Sequence, residues 1–132
     1  MKGTTPRQLF ETILEAFTKR HIPEPKTGFA TLAAHTDTGA TCNDTVVPTD
    51  DPEDTARFYH SASGSELVAH FGPELRLVKI ENESEDRCDA RFETRRKYLL
   101  RDLFVTITRR PDSRVPDCWL ISSIRDGKTR FD

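Results

Sequence analysis

Alternation of apolar and polar residues along the second half of the chain is the feature that most constrains its fold. Side chains alternate at period two over residues 88–95 and again over 98–110, which is typical of strands with one face in a core. A shorter run starts at Leu75, and a last apolar run covers 118–124 before Asp126–Gly127 is expected to turn the chain out. Charged or proline-containing turns separate the runs, so the pattern predicts about four consecutive antiparallel strands.

Residues 6–20 show helical rather than strand periodicity. Thr5, Pro6 and Gln8 match a capping box with proline at the first helical position. The apolar residues that recur at three- and four-residue spacing are Leu9, Phe10, Ile13, Leu14 and Phe17. A helix with one apolar stripe beside a sheet with one apolar face buries both surfaces, so the order of elements predicts the α+β class.

The segment between the helix and the strands is harder to assign. Residues 36–56 are rich in Thr, Asp and Pro, and we expect a long loop or a lid there. Residues 57–63 are strand-like, and after Gly64 a short helix is expected over 65–71. A chain of 132 residues has the length of one domain, so we expect residues 1–132 to form a single one.

Composition narrows the function classes. The formal net charge of −2 argues against binding of nucleic acid by bulk charge, and no apolar run approaches the ~20 residues of a membrane-spanning helix. The three cysteines, Cys42, Cys88 and Cys118, are odd in number and lack CxxC spacing, which predicts reduced thiols and a cytoplasmic location. Zinc-ligand spacing and a glycine-rich phosphate loop are also missing from the sequence, so no metal or cofactor is expected.

Three stretches carry a resemblance to a known family: the amphipathic helix at 5–20, the segment 58–71 with its Gly64 step into a short helix, and the closing strand at 117–124. In these stretches the chain resembles the NTF2-like superfamily (SnoaL-like, cystatin-related), and the match covers residues 5–20 and 57–125. The resemblance implies a curved antiparallel sheet of about four to six strands wrapped around the N-terminal helix and one or two short helices. It also implies a cone-shaped pocket.

The resemblance further implies that the pocket takes an apolar small molecule and, in some members, that it houses cofactor-independent isomerase, cyclase or dehydratase activity. Asp102 shares a strand face with Leu100 and Phe104, and it is similar in position to the oxyanion-stabilising Asp of ketosteroid-isomerase-like members. Phe10 and Phe17 stand in the first helix where such an isomerase has a Tyr, so the acid–base set is incomplete. The plainer interpretation of Asp102 is a solvent-facing or arginine-paired carboxylate.

Tyr59 and His60 are the other predicted catalytic residues. As neighbours in a strand they would point to opposite faces, so only one of them would enter the pocket. His60 suits a general base near neutral pH, although a surface or hydrogen-bonded histidine is its plainer interpretation. The residues predicted to line the pocket are Phe17, His70, Phe92, Leu100, Phe104 and Trp119.

Two other functions fit the same residues. A non-catalytic association domain would form a homodimer through the open sheet face, and a charge placed at Phe104 or Leu120 would then give monomers. An inhibitor-type protein would instead meet a basic partner with the acidic cluster, which we define as Asp50, Asp51, Glu53 and Asp54. The sequence alone does not separate an enzyme from a binding domain.

Overall fold

The computed structural model describes residues 5–19, 32–60, 75–96, 99–110 and 118–131. The helices with both ends in these ranges are α1 (Pro6–Lys19) and α2 (Pro52–His60), and residues 32–34 are also helical. The strands are β1 (Thr36–Cys42), β2 (Thr45–Val46), β3 (Arg76–Glu81), β4 (Arg87–Arg96), β5 (Leu99–Arg110) and β6 (Cys118–Phe131).

Within the described residues the six strands form one curved, unclosed sheet in the order β2-β1-β6-β5-β4-β3. Neighbouring strands are antiparallel except β1 and β6, which run parallel. The longest regular ladder joins β4 to β5, from Arg87 opposite Thr108 to Arg96 opposite Leu99 without a register shift. The predicted α+β class and the curved, mainly antiparallel sheet are confirmed.

The apolar stripe of α1 packs on one face of this sheet. Phe10 and Ile13 are buried, and the Phe10 ring meets the Phe92 ring of β4 edge-on, with the two centroids 6.2 Å apart. These residues belong to one core cluster with Leu103 and Val105 of β5. We call the face that carries this cluster the core face and the opposite face the outer face. Because side chains alternate along a strand, each residue of β4 and β5 is assigned to one face or the other.

The start of α1 has the capping box that the sequence predicts. The backbone N–H of Thr5 donates to Oε1 of Gln8 at 3.0 Å, and the backbone N–H of Gln8 donates to Oγ1 of Thr5 at 3.2 Å. Two N–H groups that lack partners inside the helix are satisfied in this way. The local sequence therefore fixes where the helix begins, and the buried stripe fixes which side faces the sheet.

Residues 36–56, predicted as a loop or lid, contain β1, β2 and the start of α2 instead. Asn43 and Asp44 form the two-residue turn between the strands, with φ angles of 49° and 68°. Asn and Asp tolerate this left-handed conformation better than other non-glycine residues. The loop prediction is wrong for β1, β2 and the start of α2. The residues of β1 are mostly polar, as in a loop, although the strand pairs with β2 on one side and β6 on the other.

Residues 57–60, predicted as the start of a strand, lie in α2. The Oδ1 atom of Asp51 accepts the backbone N–H of Glu53 at 3.0 Å, and the carbonyl oxygen of Asp51 accepts the N–H of Thr55 at 3.1 Å. Thr55 and Tyr59 lie one helical turn apart and are both buried. The strand prediction is therefore wrong here, because the cap and the helical spacing of the buried residues outweigh the strand preference of the aromatic side chains.

β6 continues to Phe131 and does not leave the sheet at Asp126–Gly127 as predicted. Its pairing with β5 shifts register between Arg101 and Leu103, so that more than one residue of β6 lies opposite Asp102. Such a bulge bends a strand without ending it. The Asp126–Gly127 pair, which as a sequence pattern predicts a turn, lies at this register shift.

The helix predicted over 65–71 and the strand residues 61–63 lie outside the described residues. Neither α1 nor α2 is long and apolar enough to cross a bilayer, and the same holds for every helix in the described part of the chain.

Candidate functional site

The sheet divides the predicted site residues between its two faces. Tyr59, Phe92 and Trp119 belong to the core cluster together with Leu103. Asp102 precedes Leu103 in a regular part of the ladder between β4 and β5, so its side chain lies on the outer face. Leu100 and Phe104 share that face with Asp102. The side chains of Phe17, His60 and His70 lie outside the described residues.

Asp102 and Tyr59 are therefore on opposite sides of the sheet. A small molecule that contacts one of these side chains is separated from the other by the backbone of the sheet. The structure does not bring the two residues together for joint action on one substrate within a chain. A sequence pattern predicts which residues share a strand face, but it does not indicate which face the helices cover.

The environment of Asp102 is a packed part of the outer face. Asp102 is 8% exposed and stands directly opposite Glu93, which is 7% exposed. Nη2 of Arg76 donates to Oε1 of Glu93 at 2.8 Å. Gly127 of β6 lies against Asp102, close enough that an added Cβ would be 3.0 Å from the Asp102 Cβ. Asp102 thus lies between two closely packed strands, β4 and β6.

Tyr59 has a different setting on the core face. Its side chain is 3% exposed, and its hydroxyl lies 2.9 Å from Oγ1 of Thr36. Oγ1 of Thr36 donates its own proton to the carbonyl oxygen of Leu32 at 2.6 Å. A threonine hydroxyl has one proton, so the Tyr59 hydroxyl is the donor in the bond between the two side chains. We call Tyr59 and Thr36 the hydroxyl pair.

Burial keeps the Tyr59 phenol protonated. Removal from water raises its pKa from the ordinary 10.0 to about 12, the bond to Thr36 lowers it in part, and nearby Cys42 adds to the rise. Near neutral pH the group is a neutral hydrogen-bond donor and not a base. His35 precedes Thr36 in the chain. Burial lowers the pKa of its imidazole, so its neutral form is favoured near neutral pH.

The hydroxyl pair is fixed by three elements. α2 supplies Tyr59, the start of β1 supplies Thr36, and the carbonyl oxygen of His35 accepts the backbone N–H of Ile121 in β6 at 2.6 Å. Sequence reasoning singled out Tyr59 but missed Thr36. No local motif marks Thr36. Its role depends on the parallel pairing of β1 with β6, and no sequence pattern between residues 19 and 36 predicts that pairing.

The acidic cluster is largely explained by the start of α2. Asp51 caps the helix, and Arg57 pairs with Glu53 and Asp54 at 3.4 and 3.3 Å. Carboxylates in the first turn of a helix also interact favourably with its dipole. Helix formation therefore accounts for three of the four acids, and the inhibitor-type function stays a prediction without further support. Among the described residues, no group of three or more His, Cys, Asp and Glu side chains is placed to hold a metal ion.

Comparisons with known proteins match this architecture and not its sequence. No protein-family model matches the chain, and no curated protein is significantly similar to it. A candidate ketosteroid isomerase from Parabacteroides distasonis aligns over 93% of this chain and 86% of its own, with a TM-score of 0.54 and 13% identity. A multiply substituted NTF2 chain aligns over 92% and 95%, with a TM-score of 0.52 and 14% identity. An NTF2-like protein of unknown function from Shewanella baltica aligns over 98% and 100%, with a TM-score of 0.46 and 15% identity.

The fold defines a class, α+β proteins in which helices pack on one face of an open, curved sheet. Within that class the chain has the NTF2-like fold, which is the fold that the resemblance in sequence implies. Identities of this size establish the fold alone. Function must be argued from the residues of the site, because one fold supports many activities.

Proposed function

We propose that this protein binds an apolar small molecule on the core face of the sheet and orients it through Tyr59. The hydroxyl pair is the observation that carries the proposal. It places a protonated phenol, 3% exposed, within an apolar cluster that includes Phe92 and Trp119. Apolar walls with a few fixed polar groups are the usual composition of small-molecule sites.

The chemistry of the hydroxyl pair favours a ligand with a carbonyl oxygen. Tyr59 donates its proton to Thr36 in the free protein, and a ligand carbonyl would accept that proton in its place. The exchange replaces one neutral hydrogen bond by another, and it satisfies a ligand carbonyl that has left water and would otherwise lack a donor. The Parabacteroides neighbour is named for an enzyme of ketosteroids, which supports a steroid-like ketone as the first ligand class to test.

The binding test compares wild type with Tyr59→Phe by titration with 19-nortestosterone. We expect saturable binding by wild type and about fivefold to tenfold weaker binding by the variant, the effect of one neutral hydrogen bond. Phe104→Leu on the outer face is the control and should leave the affinity unchanged. Absence of saturable binding by wild type, or equal loss in both variants, would contradict the proposal.

Isomerase activity is the finer form of the same proposal. His60 follows Tyr59 in the chain and stays the predicted general base, whereas Asp102 on the outer face takes no part. Conversion of a Δ5-3-ketosteroid to its conjugated isomer, followed by ultraviolet absorbance, tests this form. Turnover by wild type that is lost in His60→Gln while steroid binding persists would support it. Binding without turnover would leave a carrier or binding protein.

Homodimerisation through the outer face is a second candidate function. Phe104 is half-buried there, and the Arg125 guanidinium lies 5.4 Å from its ring centroid; arginine and aromatic residues are both enriched in protein interfaces. If the candidate is correct, wild type sediments as a dimer and Phe104→Glu sediments as a monomer.

A cytoplasmic location also stays a prediction.

A further inference from the structure

The outer face carries a depression of about 290 Å³ that the proposed function does not use. Two arginines, Arg87 and Arg125, and the aromatic residue Phe104 line it. Its other lining residues all carry hydroxyl groups: Thr106, Thr108, Ser122 and Ser123. Cationic side chains together with hydroxyl donors form the type of surface that binds oxyanions.

An irregularity in β6 gives the depression its hydroxyl wall. Ser123 pairs with Thr106, and Ile121 pairs with Ile107, which leaves Ser122 as an extra residue between the two pairs. In a regular strand Ser122 and Ser123 would face opposite sides of the sheet. Here both line the same depression, which is the kind of redirection that bulges provide next to binding sites.

The existing hydrogen bonds show which hydroxyl groups are already committed. Oγ1 of Thr106 donates to Oδ1 of Asp89 at 2.7 Å, and Oγ of Ser122 donates to the carbonyl oxygen of Thr106 at 3.2 Å. Both protons are therefore used within the sheet. Among the described residues, the hydroxyl groups of Thr108 and Ser123 are the lining donors left for a ligand.

The charges around the depression favour an anion. Nε of Arg87 lies 3.5 Å from Oδ1 of Asp89, which leaves the terminal nitrogens of that guanidinium for another partner. Asp89 also accepts from Nδ2 of Asn82 at 2.9 Å. Burial alone would raise the pKa of the Asp89 carboxyl, but its hydrogen bonds from Asn82 and Thr106 and the charge of Arg87 lower it. The two lining arginines and the Asp89 carboxylate together leave one positive charge in excess.

A third cation extends this positive surface. Arg91 of β4 and Arg125 of β6 stand opposite Phe104 on its two sides, so the three residues form one row across the sheet. Nε of Arg91 is buried and has no hydrogen-bond partner among the described residues. Because the row passes beside the depression, Arg91 adds to the positive potential that an approaching anion meets.

We propose that this depression binds a small molecule through one phosphate or carboxylate group. Arg87 and Arg125 pair with the anionic oxygens, and Thr108 and Ser123 donate hydrogen bonds to them. A volume of about 290 Å³ exceeds that of the anionic group alone, so the remainder of the ligand packs beside Phe104. The site lies on the face of the sheet opposite the hydroxyl pair, and therefore it does not depend on the proposed function.

The test is a titration of the ¹⁵N-labelled full chain, followed by amide chemical shifts at low ionic strength. The probes are inorganic phosphate, phenyl phosphate and benzoate, which separate the anionic group from the ring and phosphate from carboxylate. We expect saturable shifts in β5 and β6, with phenyl phosphate or benzoate binding more tightly than inorganic phosphate. Arg125→Gln should weaken binding about tenfold or more, since a charge-assisted hydrogen bond is lost.

Matched variants separate a built site from general charge attraction. Arg57→Gln removes the same charge from an exposed position on α2 and should leave the affinity unchanged. Ser123→Ala removes one hydroxyl donor and should weaken binding several-fold without a change in net charge. Equal weakening by Arg57→Gln and Arg125→Gln would overturn the proposal, because it would indicate diffuse attraction.

Two further outcomes would also overturn it. The first is a linear, non-saturating response of wild type to all three probes at tens of millimolar. The second is a dimeric mass measured on the same sample together with no binding, which would assign this face to a second copy of the chain. Tyr59→Phe is predicted to keep its anion binding, so failure of the steroid test and failure of this one are distinguishable.

Discussion

Gly127 shows how one missing side chain shapes the outer face. A Cβ at this position would lie 2.9 Å from Cε2 of Phe104 and 3.0 Å from Cβ of Asp102. Distances below 3.0 Å are not tolerated without movement of a neighbour, and the Asp102 backbone oxygen at 3.3 Å leaves little room. Gly127 therefore lets β6 lie close against β5 where the register shifts.

We expect Gly127→Ala to lower the free energy of unfolding by about 1–3 kcal/mol, the usual cost of an overpacked contact. Urea denaturation followed by circular dichroism measures the change. Adding Phe104→Leu, which removes the ring atom nearest the new methyl group, should recover part of the loss. An unchanged urea midpoint in Gly127→Ala would show that the strands separate at no cost and that the close approach is not important.

The Tyr59 phenol gives the folded protein a dependence on alkaline pH. Its pKa is raised from 10.0 to about 12 in the folded state, so between these values the unfolded chain has lost a proton that the folded chain retains. The unfolded state then binds fewer protons, and stability falls as the pH rises through this window. Below pH 10 both states keep the proton, and the contribution does not change with pH.

The expected result is a loss of stability between about pH 10 and pH 12 that is smaller in Tyr59→Phe than in wild type. Thermal unfolding at several pH values, compared between the two proteins, isolates the contribution of this residue from the other groups that titrate there. Identical pH profiles in the two proteins would contradict the assignment of a buried, hydrogen-bonded phenol to position 59.

Among the elements, α2 shows how a cap decides between helix and strand. Asp51 accepts the N–H of Glu53 through its side chain, whereas neighbouring Asp50 is exposed and lies before the helix. Asp51→Ala should therefore destabilise the protein by about 1 kcal/mol, the typical value of a helix cap. Asp50→Ala is the matched control, with the same loss of charge and no cap.

Urea denaturation of both variants checks this expectation. If Asp50→Ala and Asp51→Ala lose equal stability, the effect belongs to the general charge of the acidic cluster and not to capping. The inhibitor-type function predicts in addition that both variants bind a basic partner more weakly, whereas the helix needs only Asp51.

The sequence predicts an element well where the signal is local. The capping box at Thr5 and Gln8 predicts the start of α1, and alternation over residues 88–95 predicts β4. The same type of signal, Asp51 followed by Pro52, is present at α2, where it conflicts with the strand preference of Phe58 and Tyr59. The four-residue spacing of the buried Thr55 and Tyr59 agrees with the helix.

Non-local pairing is the reason why β1 was missed. Its residues, TDTGATC, are mostly polar, and the strand becomes recognisable only through its parallel partner β6 and its antiparallel partner β2. Gly39 with φ of +82° and the register shift between Thr36 and Thr41 further interrupt the alternation. A strand of this kind is specified by its neighbours more than by its own composition.

The candidate site was predictable only in part for the same reason. The alternation along β5 correctly puts Asp102 on a face with Leu100 and Phe104. Which of the two faces receives α1 and α2 depends on contacts between elements far apart in the chain, so the sequence pattern did not separate Asp102 from Tyr59. The sequence does not predict the hydroxyl-lined depression either, because the depression depends on a bulge at Ser122 that no residue pattern indicates.

At the scale of the whole molecule, the sheet acts as a partition between two chemical environments. The core face combines apolar side chains with the hydroxyl pair, and the outer face combines rows of charged side chains with the hydroxyl-lined depression. Tyr59 contacts Thr36 and Phe58, whereas Arg125 contacts Phe104. Among the described residues, the two side chains thus have no contact partner in common.

Residues without shared partners contribute to stability nearly additively, within about 0.3–0.5 kcal/mol. We therefore expect the changes in unfolding free energy caused by Tyr59→Phe and Arg125→Gln to add in the double variant to within that margin. Urea denaturation of wild type, both single variants and the double variant supplies the cycle, and Tyr59→Phe combined with Thr36→Val, whose side chains do touch, is the positive control for coupling. A coupling energy above about 1 kcal/mol between positions 59 and 125 would mean that the faces communicate through the sheet. Ligands on opposite faces would then influence each other's binding, whereas additivity means that the two proposed sites act independently.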